Sequence, residues 1–389
     1  MFQRKTPLAW KNLTHDPRRL MVAVAGVGFA VLLMYMELGF LNALLDSTVE
    51  LLTHLEADLI IVSKSKFSMT DCERFPLQRI QQANAHNGVR TYPLYTETIA
   101  SVLREHGQKG HPIRTIAYPR QSPVFQTPQI RSQEWRIAGP NVALVDTKSR
   151  DKYGIPPNTA DLPDYRAELQ QRSIRLVGKF TLATDFANHG NLIMTADNFA
   201  NYFPFRVPGG DPLSAVDLGI VQISTASNAK TVKTQLDREL PDDVRVFTKN
   251  EFIQREKRFW RTNTPVGYIF TVGAVMGFVI GVIICYQIIY SDIGDHLSEF
   301  ATLKAMGYTN RYFVGMVLAE SFYLSIFGFI PGSLVSWGLY RLIAWKTGML
   351  MNFEPKVAVL LLASTILMCS CSGLLALRKL VAADPASLF

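Results

Sequence analysis

The chain has 389 residues, 48% of them hydrophobic, and 40 Lys and Arg against 32 Asp and Glu give a formal net charge of +8. The apolar residues are clumped rather than spread, which excludes an ordinary soluble protein and predicts an integral membrane protein carrying a polar domain. In that class a basic balance reflects flanks that face anionic lipid, and with no RNP, zinc-finger or helix-turn-helix signature present, nucleic acid is not expected as a partner.

Residues 1–19 form a basic entry segment with Arg4, Lys5, Lys11, Arg18 and Arg19, and Trp10 suits headgroup depth. Asp16-Pro17 separates it from the first apolar run, residues 20–45, which predicts membrane helix one. That run lacks an A-x-A-like site and reads as a retained span, with five basic residues before it favouring a cytoplasmic N-terminus. Residues 46–261 are mixed, charged and proline-containing. Short strand-like pieces at 59–62, 89–103, 113–118, 174–182, 191–194, 218–224 and 244–247 are rich in branched and aromatic residues. A helical spacing of Ala229, Val232, Leu236 and Leu240 interrupts them, so the domain reads as α+β. Residues 250–260 predict a polar helix that runs straight into membrane helix two.

No charged residue occurs between Arg261 and Asp292, and only Glu320 occurs in residues 312–340. Membrane helices are therefore expected at about 266–290, 312–340 and 357–377, with a possible kink at Pro331-Gly332. The charged segment 291–311 between the first two of these has its own stripe, Ile293, Leu297, Phe300 and Leu303, and Gly307 is placed to end its helix. Two readings compete for this segment: an amphipathic connector on the membrane surface, or a docking helix against which a cytosolic partner pushes. The fold class is thus an α-helical membrane protein: four transmembrane helices, with a large α+β extracytoplasmic domain between helices one and two. Both termini are cytoplasmic on this reading. Arg341, Lys346 and Lys356 in the short outer loop argue the other way, and the bias before the first helix is given precedence.

Little chemistry of an enzyme is visible. No G-x-x-x-x-G-K-[ST] loop occurs, so the chain is not expected to bind ATP, and neither a G-x-S-x-G elbow nor H-E-x-x-H appears. No metal site is expected: His106 and His111 read as solvated loop residues, as do Asp71 and Glu73 beside Cys72. The other cysteines, Cys285, Cys369 and Cys371, lie in apolar spans, which leaves the polar domain without an internal disulfide partner. Two carboxylates fall within spans, Glu37 and Glu320. A charge at mid-bilayer costs roughly 2.5–3.5 kcal/mol, so such groups tend to be paired or functional. Glu37 lies near the outer end, within reach of headgroup water. For Glu320 a structural hydrogen bond and a part in conformational change both remain open.

The layout, one membrane helix, a large domain, three more helices and a basic tail, resembles the FtsX/MacB permeases of the type VII ABC transporter class. Glu299, Leu303, Lys304, Ala305, Met306 and Gly307 match the family's E-x-x-x-L-K-A-[LM]-G coupling segment. The tail with Asp384 and Pro385 is similar to its terminal D-P motif, and residues 8–13 resemble its amphipathic entry helix. Within the class the likeness is to the DevC permeases of cyanobacteria, carried by residues 145–154, by the length and by the lack of a fused ATPase domain. The resemblance implies a non-catalytic inner-membrane subunit that acts as a homodimer. It implies a separate DevA-like ATPase dimer carrying the ATP and Mg, a DevB-like membrane-fusion adaptor and a TolC-type outer-membrane channel. Export of a glycolipid or other amphipathic substrate is the implied function, and an FtsX-like regulator of a periplasmic cell-wall hydrolase is the alternative. It also favours the docking reading of segment 291–311.

Overall fold

A computed structural model of the chain describes residues 16–182, 188–224, 228–347 and 351–382. The entry segment as far as residue 15 and the tail motif with Asp384 and Pro385 lie outside these residues. The chain divides into two compact units, Met1–Ala43 with Pro265–Phe389, and Leu44–Thr264.

Helix α1 (Pro17–His54) is longer than the span read from hydropathy. Its 38 residues measure about 57 Å at the α-helical rise, against a hydrocarbon thickness of about 30 Å. Asp16-Pro17 starts it. The Asp16 carboxylate accepts from the backbone N–H of Arg18 and Arg19 at 3.0 and 3.2 Å, and Pro17 occupies the first turn, where no donor is needed. At the other end Val49, Leu51 and Leu52 belong to the core of the second unit.

That unit contains β1 (Leu59–Ser63), β2 (Phe75–Pro76), α2 (Gln78–Asn84), β3 (Val89–Glu97), β4 (Val102–Glu105), β5 (His111–Pro112), β6 (Arg114–Tyr118), α3 (Pro128–Arg131) and β7 (Val142–Asp146). It continues with β8 (Ala167–Leu169), β9 (Arg172–Phe180), β10 (Asn191–Thr195), α4 (Ala196–Tyr202), β11 (Ala215–Val216), β12 (Leu218–Ile223), α5 (Ala229–Glu239), β13 (Val244–Thr248) and α6 (Lys249–Thr262). Eleven strands form one mixed sheet in the order β13-β1-β12-β3-β6-β10-β7-β9-β8-β4-β5, and β2 pairs with β11 apart from it. The sheet is covered on both faces. Leu59 and Ile61 of β1 join a core with Ile80, Val232 and Leu236; Ile60 and Val62 join another with Leu52 and Phe252. Two-sided burial is why β1 is an uninterrupted apolar run instead of an alternating one.

Two expectations for this unit need correction. The stretch 89–103 is two strands, β3 and β4, which pair with different neighbours. Glu97, at the break, enters a buried ion network: Arg74 donates to Glu97 at 2.8 Å and to Asp217 at 3.3 Å, and Arg206 donates to Asp217 at 2.6 Å. The second correction concerns α6. It does not run into the next helix but ends at Thr262, and α7 (Pro265–Asp295) starts anew. Pro265 has no N–H to continue the ladder and serves as the first residue of the new helix.

The first unit contains α1 to Ala43, α7, α8 (Leu297–Ala305), α9 (Asn310–Thr347) and α10 (Pro355–Ala382). Among the described residues four helices, α1, α7, α9 and α10, are long and apolar enough to cross a membrane. Helix α9 runs unbroken through Pro331.

Candidate coupling segment and its supporting bundle

Glycine ridges pack the bundle. On α7, Gly273, Gly277 and Gly281 recur every four residues. A Cβ at Gly281 would come 2.9 Å from the Ala30 Cβ, and one at Gly277 would come 3.3 Å from Met34 Cγ. On α9, Gly328 and Gly332 form a G-x-x-x-G pair against Gly28 of α1. A Cβ at Gly332 would lie 2.7 Å from the Gly28 carbonyl oxygen, so the two backbones meet almost directly. Helix α10 closes the bundle against α7: Ser372 Oγ donates to the Val282 carbonyl at 2.8 Å, and the Cys285 and Cys369 sulfurs are 3.5 Å apart. The four-residue glycine spacing is visible in the sequence, but which helix each ridge meets is not.

Between α7 and α9 lies the coupling candidate. The stripe expected to run through one helix is divided, because α7 ends at Asp295 and α8 begins at Leu297. His296, at φ −98°, ψ 15°, leaves helical geometry, and its Nδ1 lies 3.0 Å from the Asp292 carbonyl oxygen. Ile293 is consequently a buried residue of α7. The far end fits the expectation for Gly307 in detail. Its φ is +94°, a region open to glycine and strained for other residues. Gly307 N–H donates to Lys304 O at 3.0 Å and Tyr308 N–H to Leu303 O at 3.2 Å, the paired bonds of a Schellman motif. A Cβ at Gly307 would meet nothing within 4 Å, so the requirement is conformational alone.

This turn sorts the candidate coupling residues into two sets. Leu303 packs on the bundle core and Lys304 is half-buried. Glu299, Ala305, Met306 and Gly307 are exposed, with Met306 at 63%. Tyr308 and Tyr312, their rings tilted at 52° with centroids 4.7 Å apart, extend the exposed tip. An apolar knob with a polar surround is suited to a protein partner's groove.

The membrane carboxylates have distinct settings. Glu37 is half-buried and its carboxyl lies across α7, where a Cβ at Gly273 would approach it to 2.5 Å. Glu320 is 3% exposed and its carboxyl meets that of Asp292. Arg19 completes this cluster from α1. Its guanidinium lies 3.7 Å from Asp292, donates to Ser291 Oγ at 3.3 Å and pairs with Asp295. Arg19, Asp292, His296 and Glu320 together line a cavity of about 40 Å³. Sequence reasoning used Arg19 only as one of several basic flank residues and assigned Asp292 to the surface, so it missed the cluster.

In the α+β domain the residues set aside earlier have separate partners. His106 Nδ1 lies 2.5 Å from Glu168, and the His111 ring meets Tyr153 edge-on. The Asp71 carboxylate closes its own loop by accepting from Phe67 and Ser68 N–H at 2.9 Å. Glu256 on α6 is buried and was not singled out from the sequence. It accepts from Ser68 Oγ and Trp260 Nε1, both at 2.9 Å, and from Met69 N–H at 3.1 Å. Burial pushes its carboxyl above the ordinary range, against the pull of those hydrogen bonds. Among the described residues no group of three or more His, Cys, Asp or Glu could hold a metal ion.

Residues 271–385 match the family model described as FtsX-like permease C-terminal. Two solved structures are similar to parts of the chain. One is the periplasmic region of MacB from Actinobacillus actinomycetemcomitans, at 12% identity, covering 50% of this chain and 90% of that one with a TM-score of 0.35. The other is the extracellular domain of the noncanonic ABC-type transporter YknZ from Gram-positive bacteria, at 12% identity, covering 49% and 99% with a TM-score of 0.34. No curated protein matches the chain.

Proposed function

We propose that this chain, whose residues 271–385 match the FtsX-like permease C-terminal model, is a permease of the FtsX/MacB class of ABC transporters and converts the motion of a separate ATPase into motion of its α+β domain. The observation that carries the reading is the tip of α8. A helix of nine residues, closed by a Schellman turn, holds Met306 and Tyr308 outward between two helices long enough to cross a bilayer.

The mechanism is mechanical. A DevA-like ATPase dimer binds ATP and Mg and closes; its surface displaces α8. The displacement passes along α7 and α9 and reaches the α+β domain through α1 and through residues 262–265. Tight glycine packing suits such transmission, because a packed interface shifts between discrete arrangements more readily than it deforms. In this reading the chain is the non-catalytic subunit and a homodimer. Its termini are in the cytoplasm, its domain is in the periplasm, and it works with a DevB-like adaptor and a TolC-type channel. The cargo is a glycolipid or other amphipathic molecule, gathered at the domain rather than drawn through a pore.

The test is co-purification. With Met306 and Tyr308 both changed to Glu, the ATPase subunit is expected to be lost while the permease itself is still extracted and folded. Leu303 is a poor choice for this variant because it supports the bundle. An ATPase that stays bound and keeps its ATP-linked export would overturn the assignment.

A further inference from the structure

The large sheet of the α+β domain has two loop edges, and α1 and α6 meet the loops of one of them. β1 and β3 each pair antiparallel with β12, so they run the same way, and the loops that follow them, residues 64–74 and 98–101, share an edge. Thr48 of α1 and Trp260 of α6 line a cavity of about 20 Å³ together with Met69, Thr70 and Thr98 of those two loops. Glu256 fixes the same meeting, since Ser68, Met69 and Trp260 all donate to its carboxylate. Chain length then sets the depth of this edge. Thr48 lies three residues past the apolar run 20–45 on an unbroken helix, about 5 Å along its axis. Trp260 lies five residues before Pro265, where α7 begins. A headgroup layer is about 5–8 Å deep on each side of the hydrocarbon.

Two large apolar side chains stand out of this edge: Phe67 is 65% exposed and Ile99 71%. Neither sits on a loosely held loop. The Asp71 carboxylate accepts from Phe67 and Ser68 N–H at 2.9 Å, and the buried Lys66 donates to the carbonyls of Asp71 and Glu73. Around Ile99, the Glu97 carboxylate accepts from Ala100 N–H at 3.3 Å, and Ser101 Oγ lies 2.7 Å from Thr115 Oγ1. These bonds hold both side chains in the open, although covering them would be favourable. Arg258 and Arg261 are exposed on α6 on either side of Trp260. Apolar, aromatic and basic groups together are the composition of a membrane interface.

We propose that this edge of the domain is a membrane-contact surface, with Phe67 and Ile99 at the headgroup–acyl boundary of the adjoining leaflet and Arg258 and Arg261 among its headgroups. A lipid surface is favoured over a protein partner because chain length alone brings the edge to headgroup depth. The inference requires that the apolar helices cross a bilayer; it requires no ATPase, coupling motion or cargo, so it stands or falls apart from the proposed function.

The test uses the full chain with Cys72→Ser and Cys371→Ser, which leaves only the buried thiols of Cys285 and Cys369. One new cysteine is added as Phe67→Cys, Ile99→Cys or Trp135→Cys, labelled with bimane, and the protein is reconstituted in phosphatidylcholine vesicles. Trp135 is the control: it is 73% exposed but lies between β6 and β7, at the opposite edge of the sheet. Labels at residues 67 and 99 are expected to be quenched several-fold more by a nitroxide carried on the lipid near its ester groups than the label at residue 135. Iodide present on both sides of the membrane should give the reverse order. The two sites are on separate loops, and both residues are exposed, so neither substitution empties the core. Labels at 67 and 99 as open to iodide as the one at 135 would overturn the proposal. Labels shielded from both quenchers would overturn it in favour of a protein surface, a second copy of this chain included. Lipid contact at one site alone would overturn it too, since the two loops would then not share a membrane-facing edge.

Discussion

Glu256 illustrates how little a single buried carboxylate announces itself. In the sequence it is one acid among the charges of a polar helix; in the fold it organises Ser68, Met69 and Trp260. Its folded-state affinity for a proton is raised by burial, so the folded chain binds more protons than the unfolded chain above the ordinary carboxylate range. Stability therefore falls as pH rises from that range through the raised value. Glu256→Gln, which keeps an acceptor oxygen and has no charge to desolvate, is expected to flatten that fall. The measurement is urea unfolding of the full chain followed by Trp fluorescence between pH 5 and pH 8. A variant with the wild-type slope would refute the assignment. Gly307 is the opposite case. A glycine following Lys-Ala-Met in a helical pattern already signals a left-handed C-terminal turn, because the φ required there is disfavoured for side-chain-bearing residues.

At the scale of elements, helices were legible by hydropathy and their packing was not. The four apolar runs stand out because each must hide its backbone from hydrocarbon over at least 20 or so residues. Which face of each meets a neighbour depends on where glycines from different helices coincide. Gly332 and Gly338 make the contrast testable within α9: a Cβ at Gly332 collides with backbone, whereas one at Gly338 meets nothing within 4 Å. Both substitutions gain the same helix propensity, so their difference isolates packing. Gly332→Val is expected to destabilise by about 1–3 kcal/mol relative to Gly338→Val, measured by unfolding in mixed micelles. Equal stabilities would mean that α1 and α9 are not in backbone contact. Element boundaries failed where a side chain overrode periodicity. His296 divides the expected stripe, and Pro265 separates α6 from α7.

For the whole molecule the decisive question is which side each unit faces. Cys72 is exposed in the α+β domain and serves as a native probe, while Cys285 and Cys369 are buried. In a Cys371→Ser background, a membrane-impermeant maleimide added to spheroplasts is expected to label Cys72. A cysteine introduced at Lys304 should be labelled only after the membrane is opened. The reverse pattern would invert the topology and remove the basis for an ATPase docking at α8. The amino-acid sequence by itself determined the number of apolar helices, the α+β character of the inserted domain and the turn at Gly307. Each of these is a local consequence of hydropathy, propensity or backbone sterics. Only the tertiary structure decided that Arg19, Asp292 and Glu320 form one cluster, that Leu303 turns inward while Met306 turns outward, and that Gly26 of α1 packs directly against Ile284 of α7. Those features arise from residues far apart in the chain, and no periodicity within one helix specifies which face of another it will meet.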